Sequence, residues 1–181
     1  MNFKDYYNKY KKTLEKSLTI ILLILLIASI GLTIYLINAP KIGERFTEFY
    51  ILNEDLKAYN YPTQLYENES GVVIIGVRNL EYRPMNYTVW VFLSNDTYDY
   101  NYSINITPKN LWNGTLSYNY ALSKKVSLIH NETALMPLNF SIDSVGKHKV
   151  EFILSIENEK KVYRELHLWV NVSKPREKSL I

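Results

Sequence analysis

The sequence predicts an all-β, immunoglobulin-like β-sandwich ectodomain preceded by a single transmembrane α-helix. Leu18 to Ile37 reads LTIILLILLIASIGLTIYLI, a run of 20 residues without a charge. Beyond residue 45 the apolar residues recur with period 2 rather than 3.6, the signature of strands. Turn signals interrupt that pattern roughly every 8–12 residues, as in a sandwich, and no long amphipathic helix follows Pro40. A jelly roll is the alternative all-β architecture.

Residues 1–17 form a basic tail. They hold Lys4, Lys9, Lys11, Lys12 and Lys16 against Asp5 and Glu15, which accounts for the whole net charge of +3. The run 18–37 follows. At 1.5 Å per residue it spans about 30 Å, the thickness of the bilayer hydrocarbon. A helix is the one single segment that satisfies its own backbone there. Lysines on its N-terminal side place the N-terminus in the cytoplasm, and Tyr35 falls where interfacial aromatics are favoured. A cleaved signal peptide is the rival reading. Against it, the run exceeds the usual apolar core of such peptides, and Ile37-Asn38-Ala39-Pro40 lacks a small-x-small cleavage pattern. A pilin-type leader needs a processing site that Lys16-Ser17-Leu18 does not resemble.

Residues 41–173 are the expected outer domain, and 174–181 a polar tail. Basic and acidic residues balance from Lys41 onward, at 16 each, which offers no electrostatic reason to bind nucleic acid. The chain has no Cys, so disulfides and thiolate–metal sites are excluded. Packing and sheet hydrogen bonds must hold the domain.

Strands are expected at 46–52, 71–79, 87–93, 98–107, 116–122, 125–129, 138–142, 149–156 and 161–172. The run 71–79 (GVVIIGVRN) is nearly continuous in apolar residues, as in a buried strand. Asn113-Gly114 is a hairpin signal. Glu157-Asn158-Glu159-Lys160 reads as the polar tip of a second hairpin.

Nine Asn-x-Ser/Thr sequons lie after the apolar run and none before it. They begin at Asn68, Asn86, Asn95, Asn101, Asn105, Asn113, Asn131, Asn139 and Asn171. The 15 Asn from Lys41 onward and 23 Ser plus Thr among 181 residues predict about two by chance. The excess points to N-linked glycans and an extracellular location, in agreement with the Lys bias. Strand parity supports this. With Val162, Leu166, Leu168, Val170 and Val172 facing in, Asn171 faces out. With Tyr87, Val89, Val91 and Leu93 facing in, Asn86 faces out. Tyr102, Ile104 and Ile106 likewise leave Asn101 and Asn105 outward, and Asn139 flanks inward Phe140 and Ile142. Asn68, Asn95, Asn113 and Asn131 fall in turns or loops.

The same registers turn Trp90, Phe92, His167 and Trp169 outward. Exposed aromatics mark contact surfaces, so Trp90, Phe92 and Trp169 are the expected partner contacts. The competing expectation is that a loop or further strand covers this face.

The sequence carries little that points to chemistry. His130, His148 and His167 show no metal spacing. No phosphate loop, nucleophile elbow or zinc-protease motif is present. Asp96 and Asp99 lack the ligand density of a calcium loop. No catalytic residue, metal or cofactor is expected.

Several segments together resemble the DUF1616 family of archaeal membrane proteins. These are Phe46–Leu52 (FTEFYIL), Tyr61-Pro62-Thr63, Gly76–Arg83 (GVRNLEYR), Asn86–Val89 (NYTV) and Leu166–Val172 (LHLWVNV). Where the family has Asn-His-Glu, this chain has Asn79-Leu80-Glu81, so any chemical role of that His is lost here. The resemblance implies an archaeal cell membrane and an outward β domain, and it supplies no catalytic or binding residues.

The expected function is a structural or protein-interaction role, with a cell-envelope or membrane protein as partner and the lipid bilayer as anchor. A carbohydrate- or other ligand-binding surface module is the second reading. An envelope enzyme is the third, and it requires Glu81, His130 or His167 to converge in one cleft.

Overall fold

The computed structural model describes residues 3–39, 43–157 and 159–175. The sequence-predicted Pro40, Asn158 at the hairpin tip, and the tail from residue 176 lie outside the described residues. The chain divides into an N-terminal unit ending at Gly43 and a second unit beginning at Glu44.

The N-terminal unit is one helix, α1, Phe3–Asn38. Its segment Tyr10–Asn38 is long and apolar enough to cross a membrane. Leucines and isoleucines project from it on every side, all exposed. Such a surface suits hydrocarbon rather than water. Its polar side chains turn back on the helix: Ser29 Oγ donates to Leu26 O and Thr33 Oγ1 to Ser29 O, each at 2.8 Å. Those hydroxyls therefore need no water inside a bilayer.

The second unit is a two-sheet sandwich. Its strands are β1 Phe46–Leu52, β2 Gln64–Tyr66, β3 Gly71–Leu80, β4 Met85–Leu93, β5 Thr107–Lys109, β6 Gly114–Thr115, β7 Tyr120–Leu128, β8 Thr133–Ser141, β9 Gly146–Ile156 and β10 Arg164–Ser173. One sheet has the order β1-β3-β8-β6, the other β2-β10-β9-β4-β7-β5. The long neighbours pair antiparallel, while the short β2, β5 and β6 join parallel to β10, β7 and β8. With β1, β3 and β8 facing β4, β9 and β10, the arrangement is that of an immunoglobulin-like sandwich. A jelly roll is ruled out by this strand order.

Alternation builds the main core. Val73, Ile75 and Val77 of β3, Leu138 and Phe140 of β8, Tyr87, Val89 and Val91 of β4, and Val150, Phe152 and Leu154 of β9 are all buried. Each large apolar side chain so buried contributes about 1.5–3 kcal/mol. A handful of them outweighs the ~2–5 kcal/mol that a disulfide would supply. On the opposite side of the first sheet, Gly76 lies across from Tyr50. A Cβ on Gly76 would stand 2.2 Å from the Tyr50 ring, so only glycine lets that ring lie flat across the strand.

A polar buckle joins the sheets. Glu81 Oε1 accepts from Tyr163 Oη at 2.5 Å and from Thr47 Oγ1 at 2.9 Å. Thr47 has then given its only proton, so the Tyr87 hydroxyl donates to it at 2.8 Å. Beside this, Asn79 is fully buried. Its Nδ2 donates to the carbonyls of Arg83 and Leu128, and its Oδ1 accepts from the amide of Glu81. Asn79 thus fastens the β3–β4 turn to the β7–β8 turn.

Four sequence expectations change. The strand expected at 98–107 is a loop with a single bridge, Ser103 to Lys161, and Tyr102 is exposed. In place of the expected strands 116–122 and 125–129 there is one strand, β7, which begins only at Tyr120 and runs through Lys124 and Lys125 without turning. Asn113-Gly114 makes no hairpin. Gly114 takes φ +142°, but β5 belongs to one sheet and β6 to the other, so this turn is a crossover. Asn113 Oδ1 docks it by accepting from the Asn139 amide at 2.9 Å. The last strand starts at Arg164, and Val162 packs into a different core from Leu168 and Val170.

That different core consists of Trp90, Phe92, Ile104, Ala121, Ile153 and Val162. It lies on the far side of the second sheet, beneath the 94–106 loop. Trp90 Nε1 donates to Ser155 Oγ at 2.9 Å, which satisfies its one polar atom. Trp90→Ala should cost ~3–5 kcal/mol in urea unfolding of the full chain in detergent. Trp169→Ala, at an exposed position, should stay within about 0.5 kcal/mol. Equal losses for the two variants would contradict the burial pattern.

Candidate functional site

Outward residues of β9 and β10 bring several charged side chains together. The odd-numbered Lys149 and Glu151 of β9 point away from the main core, yet both are buried, Glu151 completely. Lys149 Nζ lies 2.8 Å from Glu151 Oε2 and donates to Asp96 O at 2.9 Å, which ties β9 to the covering loop. Neither Glu151 oxygen receives a well-directed hydrogen bond within the protein. Glu165 of β10 is close by. One lysine balances one carboxylate in so dry a place, and the second keeps its proton. Burial, reinforced by the Glu165 carboxylate, pushes Glu151 up to about 8 against the pull of Lys149. Glu165, although burial raises it, is held below its ordinary value by Glu151, His167 and Lys149.

Next to this cluster a cleft of about 440 Å³ opens between the 94–106 loop and the turn at 117–119. Phe92 forms its floor. Tyr98 meets Phe92 edge-on at 5.7 Å, and Tyr102 meets Tyr98 edge-on at 5.3 Å. Asn95, Asp96, Asn105 and Asn119 supply the polar rim. Tyr118 stands at the far side. His148 Nε2 is 2.8 Å from the Ser144 carbonyl and must donate to it, so Nδ1 accepts from the Tyr118 hydroxyl at 3.0 Å.

All nine sequon asparagines are exposed. Asn68, Asn101 and Asn131 occupy left-handed turns at φ 65°, 66° and 67°. Asn86, Asn139 and Asn171 stand outward on β4, β8 and β10. Asn95, Asn105 and Asn113 lie in connections, and the first two line the cleft. The sequence did not reveal that pairing, because 98–107 reads as a strand and not as the wall of a cleft.

The expected contact patch breaks up. Trp90 and Phe92 are 5 % and 1 % exposed, sealed beneath the loop, and cannot touch a partner. Trp169 remains, 46 % exposed, with Lys147 Nζ 4.6 Å from its ring centroid and His167 beside it. The outer face of the other sheet offers a second apolar surface that sequence reasoning missed. Leu52, Ile74 and Pro137 align across it, as do Tyr50, Gly76 and Leu135. Reading all three strands in register would have found it.

Glu81, His130 and His167 do not converge. Glu81 serves the buckle. His130 stacks on Tyr82 at 4.4 Å and accepts from its amide, and His167 is 3.2 Å from Glu165. Among the described residues no group of three or more His, Cys, Asp or Glu is placed to hold a metal ion.

The carboxyl pair makes stability depend on pH. Folded Glu151 keeps its proton to about 8, whereas unfolded it loses it near 4.5. Between those values the folded state binds more protons, so stability falls as pH rises. Glu165 acts in the opposite sense, at pH below its ordinary value. Glu151→Gln should flatten the fall in urea midpoint between about pH 5 and 8. An unchanged slope in the variant would contradict the assignment.

A model of the domain of unknown function DUF1616 matches residues 40–171. Among solved structures, a CARDB domain from Pyrococcus furiosus, crystallised in complex with di-metal ions, is similar at 13% identity and TM-score 0.44, over 75% of this chain and 99% of its own. Its solution structure aligns at 12% identity and TM-score 0.46, over 73% and 100%. A β-glucosidase from Listeria innocua in complex with glucose is similar at 14% identity and TM-score 0.43, over 72% of this chain and 17% of its own. No curated protein matches the sequence significantly. The family match covers most of the 181 residues, and the chain belongs to the DUF1616 family.

Proposed function

We propose that this chain is a single-pass membrane protein whose N-glycosylated β-sandwich stands outside an archaeal cell and serves as a structural or protein-interaction component of the envelope or of a membrane complex. The observation that carries the reading is the exposure of every sequon asparagine on a domain preceded by a helix fit to span a bilayer. An N-glycan needs an accessible Asn, and a sequon set scattered by chance would place some on inward strand positions. The lysines before the apolar run orient the N-terminus to the cytoplasm.

Contact with a partner falls to surfaces that remain open. One is Trp169 with Lys147 and His167, where an indole and a cation favour an interface rim. The other is the apolar face around Tyr50, Ile74 and Leu135. A binding role agrees with the polar side chains: Glu81, His130 and His148 are engaged in internal hydrogen bonds.

Gentle purification of the full chain from native membranes, followed by peptide mass spectrometry, tests this reading. Glycan mass is expected on most of the nine asparagines, together with a co-purifying envelope or membrane protein that Trp169→Ala or Leu135→Asp weakens. Unmodified asparagine at all nine positions, or a chain that purifies alone, would overturn it.

A further inference from the structure

We propose that the cleft between the 94–106 loop and the 117–119 turn binds carbohydrate, seating a pyranose ring supplied either by a glycan on the cleft's own rim or by a free saccharide. The first source rests on the glycosylation reading above; the second does not.

Sugars present two chemistries at once, an apolar C–H face and a fringe of hydroxyls that both donate and accept. The cleft offers both. Tyr98 and Tyr102 stand edge to face, backed by the buried Phe92, and give an aromatic wall against which a C–H face can pack. The lining also holds the amides of Asn95, Asn105 and Asn119, which donate and accept (a glycosylated one keeps its carbonyl and one N–H), and the Asp96 carboxylate, which accepts. Among the described residues, none of these four side chains is engaged in a hydrogen bond with the protein, so their capacity is available to a ligand. Tyr118, whose proton goes to His148, presents its hydroxyl oxygen as an acceptor.

The cleft is also held in shape. Lys149 anchors the Asp96 carbonyl, Ser94 Oγ lies 3.0 Å from the Tyr98 hydroxyl, and Ile104 is fixed in the minor core. Preorganisation of this kind lowers the cost of binding a small polar ligand. Its volume of about 440 Å³ lies within the range of small-molecule sites. Other ligand classes fit less well. A phosphate or nucleic acid would meet Asp96 at the rim and a domain of balanced charge. A lipid tail would meet a lining that is mostly polar.

Two of the lining residues, Asn95 and Asn105, are themselves sequon asparagines. A glycan on either starts at the mouth of the cleft, where tethering gives its sugars a high effective concentration. Such a docked glycan would extend the covering of the second sheet.

The experiment has two arms and uses the full chain from native membranes. Thr97→Ala with Thr107→Ala abolishes both rim sequons while leaving Asn95 and Asn105 in place; Ser141→Ala, which removes the Asn139 sequon, is the control. If a rim glycan docks, amide exchange in 94–106 should speed by about tenfold in the double variant and not in the control. In the second arm the double variant is mixed with methyl α-glucoside, methyl α-mannoside or N-acetylglucosamine, and saturation-transfer NMR is recorded. Transfer to one of these, with affinity reduced about tenfold by Tyr102→Ala or Asn119→Ala, supports a free saccharide as the source. Tyr102 and Asn119 are exposed, so both variants should keep the fold. Either positive arm supports the proposal. Unchanged exchange together with no Tyr102-dependent transfer to any of the three sugars overturns it. Asn95 and Asn105 found unmodified in the native chain would defeat the glycan source, and the second arm alone would then decide.

Discussion

The centre of the second sheet, where β4 pairs with β9, is buried on both of its faces, and much of the domain is arranged to meet that constraint. Strands β4 and β9 carry apolar residues at odd and even positions alike: Val89, Val91, Phe152 and Leu154 on one side, and Trp90, Phe92 and Ile153 on the other. Two facing sheets can cover only one side of each. The 94–106 segment therefore cannot extend as another strand. It must lie across the sheet and lower Ile104 onto Phe92 and Ile153. This placement puts a backbone carbonyl over Lys149, encloses Glu151, and leaves a cleft along the loop's open margin.

A chain without cysteine has to secure its sheets by other means. The Glu81–Thr47–Tyr87–Tyr163 buckle and the fully buried Asn79 do this at one end of the sandwich. Asn79 and Glu81 flank Leu80 in the segment that resembles an Asn-His-Glu motif. Both hold turns together through side-chain hydrogen bonds. Leu80 between them stands opposite Phe46 at the end of β1, a position that needs no particular polar chemistry.

Much of the fold was legible in the sequence, because alternation reports directly on which face of a strand is buried. Phe46–Leu52 is bounded as the sequence suggested, and Val170, Val172 and Asn171 divide between core and surface as parity required. Parity failed where burial is two-sided. Trp90 and Phe92 obey the alternation of β4, and being outward from one core does not reveal a second one above. Tyr102, Ile104 and Ile106 alternate too, yet a loop lying on a sheet alternates as well as a strand within one. Asn113-Gly114 identified a turn, but a turn signal carries no information about which sheet receives the chain next. The cleft was invisible for a related reason: its parts come from segments 92–106 and 118–119, which only the covering loop brings together.

Orientation is the claim on which the functional account rests, and the absence of native cysteine gives a clean background for measuring it. Asp55→Cys places a thiol on an exposed loop of the sandwich, and Lys12→Cys places one in the basic tail. Both variants would be expressed in the native host and treated as intact cells with a membrane-impermeant maleimide. The account predicts that the residue-55 thiol is labelled at once and the residue-12 thiol only after the membrane is opened. Labelling of the residue-12 thiol in intact cells, with residue 55 protected until lysis, would contradict it.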